Sequence, residues 1–208
     1  MRVYKFLTSD FAMKDILKQR LKISEISDLN DPFELIPCDL SDPRHLHAVL
    51  ATRDEMTRNR GLLCFSRSWT NPLLWAHYSD KHRGMCLGFD IPESDVVRRV
   101  DYVENRLPWE QPTQGFMTKL LWTKFKPWSY EDEVRAFVTR EEQEDGHYFF
   151  NFEDNLKLKE VIVGHRCHVE RGAISAAMAV YPEAVPIIKA RLSRTLFNVE
   201  ENPFGFMN

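Results

Sequence analysis

The chain is poor in glycine and contains neither of the common glycine-rich phosphate-binding patterns. Only 8 of its 208 residues are glycine. P-loops and Rossmann-type dinucleotide sites need several glycines at fixed spacing, because the backbone must approach the phosphates closely. Both kinds of nucleotide site are therefore excluded.

Paired cysteines and long hydrophobic runs are also missing. The cysteines Cys38, Cys64, Cys86 and Cys167 lie far apart and form no Cys-x-x-Cys pair, so buried thiols are expected in place of disulfides. No apolar run is long enough to span a membrane, and the N-terminal residues turn polar too early for a secretory signal. We expect a cytoplasmic protein with no membrane partner.

The net charge, the spacing of the histidines and the surroundings of Ser66 argue against further classes of function. The formal net charge of −3 gives no general attraction to nucleic acid or anionic lipid, although a local basic groove is compatible with it. His45 and His47 are two residues apart in a predicted helix and point in different directions. Residues 165–168 (HRCH) lack a second ligand pair for zinc. Ser66 lies outside any Gly-x-Ser-x-Gly elbow, which argues against a serine hydrolase.

Periodicity and turn signals predict an α+β fold. Strand-like segments such as VYKFL, GLLCFS and MCLGFD outnumber helical ones and occur partly in runs. This pattern favours a mixed, mainly antiparallel central sheet with flanking helices over a doubly wound parallel sheet. No linker or repeat interrupts the chain, so we expect one domain covering residues 1–208.

Capping residues predict where the helices begin. Ser9 is the expected N-cap of the first helix, and Asp42 with Pro43 opens the second. Asn71 and Pro72 open the third helix, and GFMTKLLWTKF is interpreted as a fourth because its apolar residues share one face.

The third helix and its neighbouring strands are expected to form the core. Near-complete burial is predicted for Cys64, Phe65, Leu74, Trp75, Leu87 and Phe89. Trp75 shares a helix face with Leu74 and Tyr78 and is interpreted as a core residue. Tyr78 and His77 have polar ends, and both a core position and a cleft position remain open for them.

The segment KPWSYEDEVRAFV carries two carboxylates and an arginine at strand spacing. If strand periodicity starts at Tyr130, Glu131, Glu133 and Arg135 share one face. One interpretation is a solvated face with weak Glu–Arg pairs. The other is a carboxylate that points into a cleft and is positioned by Arg135.

The segment LNDPFE combines a turn with two residues that a turn does not require. Asn30, Asp31 and Pro32 have the chemistry of a turn. Phe33 and Glu34 are therefore interpreted as cleft residues, while Asp31 is open to either role.

Five motifs in order along nearly the whole chain carry a family resemblance. VYKFL, LNDPFE, the CFS-to-WAHY segment, WSYEDEVRAF and LKEVIVG resemble a bacterial family of unknown function marked by Asn-Asp-Pro-Phe-Glu, Cys-Phe-Ser, Trp-x-His-Tyr and Glu-x-Glu-x-Arg. Members of that family are associated with phage defence and abortive infection. The resemblance implies a toxin-like or defence effector with a cognate antitoxin or another partner from a defence locus.

The order of elements is also similar, more weakly, to the ADP-ribosyltransferase fold. That similarity implies NAD as the substrate, with ADP-ribosyl transfer to a protein or nucleic-acid acceptor, or hydrolysis of NAD. It implies a catalytic carboxylate at Glu133 or Glu131, oriented by Arg135. Lys5 stands where those enzymes usually carry Arg or His. Substrate-binding residues are expected to be Tyr4, Lys5, Asn30, Asp31, Phe33, Glu34, Ser66, His77 and Tyr78.

Two other functions remain open. A metal-dependent nuclease would hold magnesium with Asp31, Glu34, Glu131 and Glu133, because carboxylate oxygens suit that ion. A non-catalytic domain would use an aromatic cleft to capture a ligand or a partner protein.

Overall fold

The structure, a computed structural model, describes residues 1–206 apart from the side chain of Glu142, and it contains two compact units that interleave along the sequence. The first unit comprises Met1–Leu21, Phe65–Glu93 and residues 150–206. The second comprises Lys22–Cys64 and Ser94–Phe149. The expectation of a single domain stays a prediction.

Strands and helices are interspersed along the described residues, with several runs of consecutive strands. The strands are β1 (Arg2–Leu7), β2 (Arg20–Lys22), β3 (Arg60–Ser66), β4 (Met85–Asp90), β5 (Val97–Arg99), β6 (Asp101–Val103), β7 (Thr123–Phe125), β8 (Glu133–Thr139), β9 (Glu142–Glu144), β10 (His147–Asn151), β11 (Lys157–Val163), β12 (Ile187–Leu192) and β13 (Val199–Glu201). The helices are α1 (Ser9–Lys18), α2 (Pro43–Thr57), α3 (Pro72–Tyr78), α4 (Gln114–Leu121) and α5 (Arg171–Ala177). None of these helices has the length and apolar composition needed to cross a bilayer.

The expected mixture of helices with a large, mainly antiparallel sheet is confirmed. In the first unit the strand order is β13-β12-β11-β4-β1-β3. β1 pairs antiparallel with β4 and with the end of β3, whereas β11 and β12 are parallel. β4 lies in the middle of this order, which explains why its residues Met85–Phe89 are apolar and buried on both faces.

Packing and capping of the first unit agree with the sequence except at α1. Trp75 is fully buried, and its Nε1 donates to the Trp69 carbonyl oxygen at 2.6 Å. Asn71 caps α3 as predicted. The N-cap of α1 is Thr8 and not Ser9, because the Thr8 hydroxyl accepts from the Phe11 amide. The side chain of the residue just before a helix can accept a hydrogen bond from a free backbone amide of the first turn. A residue within the first turn, such as Ser9, cannot do so.

The second unit has the strand order β3-β8-β5 and two apolar clusters. One cluster joins Leu35, Leu62, Leu121, Trp122 and Phe137, and the other joins Cys38, Val49, Phe116, Met117 and Leu120. Asp42 caps α2 as predicted.

Two predictions for the second unit are wrong. Cys64 is only half-buried. The predicted fourth helix ends at Leu121, because Thr123–Phe125 leaves it to form β7 beside β6.

Candidate functional site

The LNDPFE turn sends its last two side chains to opposite sides. The Asp31 carboxylate accepts from the Phe33 amide at 2.9 Å, and the Glu34 amide donates to the Asp31 carbonyl oxygen at 3.1 Å. Phe33 is consequently 47% exposed, whereas Glu34 is buried. Asp31 therefore has a structural role in this turn.

A tight turn before β8 brings Glu131 inward. Residues Lys126–Glu131 form a 3-10 helix, and Asp132 follows in the left-handed region with φ of 43°. The prediction that strand periodicity holds from Tyr130 is wrong. Glu131 and Glu133 nevertheless reach the same interior, where both carboxylates lie within 4 Å of the Lys124 ammonium.

Arg135 binds two glutamates in that interior. Its Nε and Nη2 donate to the two carboxylate oxygens of Glu133 at 2.7 and 3.1 Å. Its Nη1 lies 2.7 Å from Oε1 of Glu34 and also donates to the Leu121 carbonyl oxygen at 2.9 Å. The predicted charge-assisted bond from Arg135 to a glutamate is therefore present, and it is bidentate.

Lys124 supplies the second positive charge. Its Nζ lies 2.6 Å from Glu131, 3.3 Å from Glu133 and 3.8 Å from Glu34. The same ammonium lies 4.8 Å from the centre of the Trp128 ring. We call Glu34, Lys124, Glu131, Glu133 and Arg135 the ion cluster.

The ion cluster is buried, so the interpretation of a solvated strand face is wrong. Its side chains are 0–8% exposed. Burial alone would raise the pKa of Glu133, but Arg135 and Lys124 lower it to about 2. Burial would likewise lower the pKa of Lys124, but Glu133, Glu131 and Glu34 raise it above its ordinary value. Glu133 and Lys124 thus keep each other charged.

The pKa of Glu34 is shifted in the opposite direction from the pKa of Glu133. Although Arg135 is close to it, neither carboxylate oxygen of Glu34 has a hydrogen bond of good geometry within residues 1–206. Burial raises the pKa of Glu34, and Arg135 and Lys124 oppose that rise only in part. Two neighbouring carboxyl groups with pKa values shifted in opposite directions are typical of acid–base sites.

The ion cluster does not favour magnesium. The Lys124 ammonium lies within 4 Å of three carboxylates, in the position that a divalent cation would need. Among the side chains that the structure describes, no group of three or more His, Cys, Asp or Glu residues is arranged to hold a metal ion.

A pocket of about 220 Å³ lies in the same unit. Phe33 and Phe125, which are 47% and 45% exposed, contribute aromatic walls. The Arg106 guanidinium lies 4.9 Å from the Phe33 ring centre, and its Nη1 donates to the Ile36 and Cys38 carbonyl oxygens. The remaining lining residues are Pro37, Val103, Glu104 and Asn105. We call this the phenylalanine–arginine pocket.

The pocket and the ion cluster share two stretches of backbone. Phe33 lines the pocket while the next residue, Glu34, belongs to the ion cluster. Phe125 lines the pocket while the preceding residue, Lys124, belongs to the ion cluster. At both positions the pocket residue and the ion-cluster residue are adjacent in the sequence.

Five of the predicted binding residues lie in the first unit. Tyr4 and Ser66 are direct partners across β1 and β3. Tyr4 donates from its hydroxyl to Glu160 at 3.1 Å, and burial raises its pKa to about 12. Lys5 follows Tyr4 in the strand and therefore projects from the opposite face. The two cannot both face one cleft, and this corrects their joint assignment.

Ser66, His77 and Tyr78 differ in exposure. The Ser66 hydroxyl is buried and accepts from the Ser68 amide at 3.2 Å, which fixes the turn after β3. His77 is exposed and Tyr78 half-buried, with ring centres 6.2 Å apart. His77 is therefore open to solvent, and its assignment to a cleft stays a prediction.

Two groups of residues were missed from the sequence. Lys124 lies in a segment whose apolar pattern predicts a helix. The sequence therefore does not reveal its position in the ion cluster. Arg106 and Phe125 have no local pattern that marks them, because a pocket is assembled from distant segments. One sequence signal for both groups was available. An aromatic residue stands next to a charged one in Phe33–Glu34 and again in Lys124–Phe125.

Comparisons with known proteins give no identification. No protein-family model, no curated protein and no solved structure matches this chain.

Proposed function

We propose that the protein is a defence-type effector that binds NAD and breaks its nicotinamide–ribose bond. The supporting observation is the ionised, arginine-held Glu133 in an ion cluster that shares backbone with a pocket for a flat ring. Phe33 and Phe125 suit stacking against an aromatic ring, and Arg106 suits a phosphate oxygen. The pocket volume of about 220 Å³ fits one ring of the dinucleotide and not the whole molecule.

The chemistry needs a negative charge more than a proton donor. When the bond from C1′ to the pyridinium nitrogen breaks, the electron pair leaves with nicotinamide and positive charge develops on the ribose. A fixed carboxylate opposes that charge. Water or an acceptor group then attacks C1′ and loses a proton. Glu133 is the carboxylate in this proposal, Glu131 is its alternative, and Arg135 is a positioning residue.

Contact between Glu133 and a ribose requires Lys124 to move. Its ammonium lies 3.3 Å from Oε2 of Glu133 and covers that oxygen. The pyrophosphate of NAD offers Lys124 a replacement partner. The proposal therefore includes exchange of the Lys124 ammonium from carboxylate to phosphate when the substrate binds.

A second candidate is binding without turnover. It is favoured by the observation that every carboxylate of the ion cluster already has a cation partner and is nearly inaccessible. In that case the ion cluster only supports the pocket, and NAD or a related nucleotide is a ligand that the protein senses.

Calorimetry and a nicotinamide-release assay distinguish the two candidates. We expect NAD to bind with release of nicotinamide, and we expect Glu133→Gln to bind NAD but release none. Phe33→Ala should weaken binding at least about fivefold, the equivalent of about 1 kcal/mol for a lost stacking contact. The matched control is Phe197→Ala, which removes a fully exposed phenylalanine of the first unit.

Each outcome decides between the candidates. Binding without release in the wild type supports the sensor function. Absence of NAD binding rejects both the cleavage and the sensor function. Binding that requires magnesium favours the metal-dependent nuclease. Growth arrest on expression that Glu133→Gln abolishes would support the toxin-like role, and equal toxicity of that variant would reject the assignment of Glu133.

A further inference from the structure

Four arginines surround a second cavity in the second unit. Arg53, Arg58, Arg60 and Arg140 line a space of about 300 Å³, together with Glu25, Ile26, Ser27, Asp54 and Thr57. We call it the arginine pocket. Its volume is at the lower end of the range for small-molecule sites, roughly 300–1,000 Å³.

Arg140 is held in place at this cavity by several groups. Its Nη1 lies 3.1 Å from the Glu25 carboxylate, and its Nη2 donates to the Arg58 carbonyl oxygen. The guanidinium lies 4.8 Å from the centre of the Tyr148 ring. Its Nε is buried and has no hydrogen-bond partner within residues 1–206. Arg140 is therefore a fixed cation at this cavity, and its unpaired Nε is inaccessible.

Two of the arginines lack a balancing charge. The two carboxylates that line the pocket already form ion pairs, Glu25 with Arg140 and Asp54 with Arg53. The exposed side chains of Arg58 and Arg60 form no ion pair with any described residue. The guanidinium of Arg60 lies 5.6 Å from the Phe137 ring centre, which limits where it can point. The excess of two positive charges thus resides on two neighbouring, accessible guanidinium groups.

We propose that the arginine pocket binds a group of linked phosphates. Guanidinium groups match phosphate oxygens bidentately, and two uncompensated arginines suit an anion with at least two charges. The pocket shares no lining residue with the phenylalanine–arginine pocket, so this proposal does not depend on the proposed function. Free polyphosphate, a nucleotide and a nucleic-acid backbone all contain this chemistry.

Titration with tripolyphosphate tests the site. We expect binding at low salt that weakens when the salt concentration is raised, because the arginines are exposed. Arg58→Gln and Arg60→Gln should each raise the dissociation constant about tenfold or more, the loss of one charge-assisted contact. Arg99→Gln is the matched control, since Arg99 is an exposed arginine of β5 outside the pocket.

Competition identifies the source of the phosphates. Displacement of tripolyphosphate by NAD or by a single-stranded oligonucleotide supports the site and names its natural ligand class. Absence of tripolyphosphate binding, or equal weakening by Arg58→Gln and Arg99→Gln, would overturn the proposal. Phe33→Ala should leave tripolyphosphate binding unchanged, because Phe33 lines only the other pocket, so failure here leaves the NAD proposal intact.

Discussion

At the scale of single residues, the balance of charge in the ion cluster decides which substitutions the fold tolerates. Among the described side chains of the ion cluster, Glu34, Glu131 and Glu133 are balanced by two cations, Lys124 and Arg135. Removing the charge of one glutamate leaves equal numbers of positive and negative groups. Removing a cation leaves three buried carboxylates with one of the two cations of the ion cluster. The two kinds of substitution should therefore differ strongly in cost.

Arg135→Met is expected to lower the free energy of unfolding by about 3–5 kcal/mol, the cost of leaving buried charges uncompensated. Glu133→Gln should cost clearly less, because Glu34 remains beside Arg135 and Glu131 remains beside Lys124. Urea denaturation at neutral pH measures both. Equal losses in the two variants would show that packing, and not charge, controls stability here.

At the scale of elements, the backbone of the loop that connects α3 to β4 is unusually constrained. Asp80, Lys81 and His82 all have positive φ, at 43°, 54° and 70°. Gly84 follows them, and its amide donates to the Ser79 carbonyl oxygen at 2.9 Å. A Cβ on Gly84 would overlap the carbonyl oxygen of Leu7. The close approach of β1 to this turn is therefore what requires glycine, since Gly84 itself does not have positive φ.

Gly84→Ala is expected to destabilise the protein by about 1–3 kcal/mol, because a backbone oxygen must shift to make room. Gly115→Ala is the control: Gly115 lies in α4 with open space around it, and alanine there should stabilise by up to about 1 kcal/mol through helix propensity. Thermal unfolding compares the two. A Gly84→Ala protein as stable as the wild type would contradict the tight packing of β1 on this turn.

At the scale of the whole molecule, local patterns predicted the elements but not the way distant elements combine. Apolar runs and caps located β4, α2 and α3, because these signals act within a few residues. The role of Lys124 has no local sequence signal, because it depends on the turn at Asp132 and on Glu34, which is far away in the sequence. The division into two interleaved units was equally invisible, since no change of composition marks the boundary inside β3.

Stability of the whole protein should also depend on pH through one buried acid of the first unit. Asp15 lies on α1 and is nearly inaccessible. Burial raises its pKa to about 7, although Lys5 and Arg20 favour the ionised form. The folded protein thus binds this proton more tightly than the unfolded chain does. The resulting stabilisation is complete below about pH 4 and is lost as the pH rises to about 7.

Asp15→Asn removes the titration while keeping the shape of the side chain. We expect the stability of the variant relative to the wild type to increase by about 2–3 kcal/mol between pH 5 and pH 8, which follows from about 1.4 kcal/mol per pKa unit. Urea denaturation at both pH values measures the difference. Glu133 stays ionised throughout this interval, because its pKa is about 2. The control is Asp10→Asn, in the exposed first turn of α1. Between pH 5 and pH 8, the stability of this variant relative to the wild type should change by less than about 1 kcal/mol. A difference independent of pH in Asp15→Asn would mean that Asp15 is already ionised in the folded protein at pH 5, with Lys5 and Arg20 outweighing its burial.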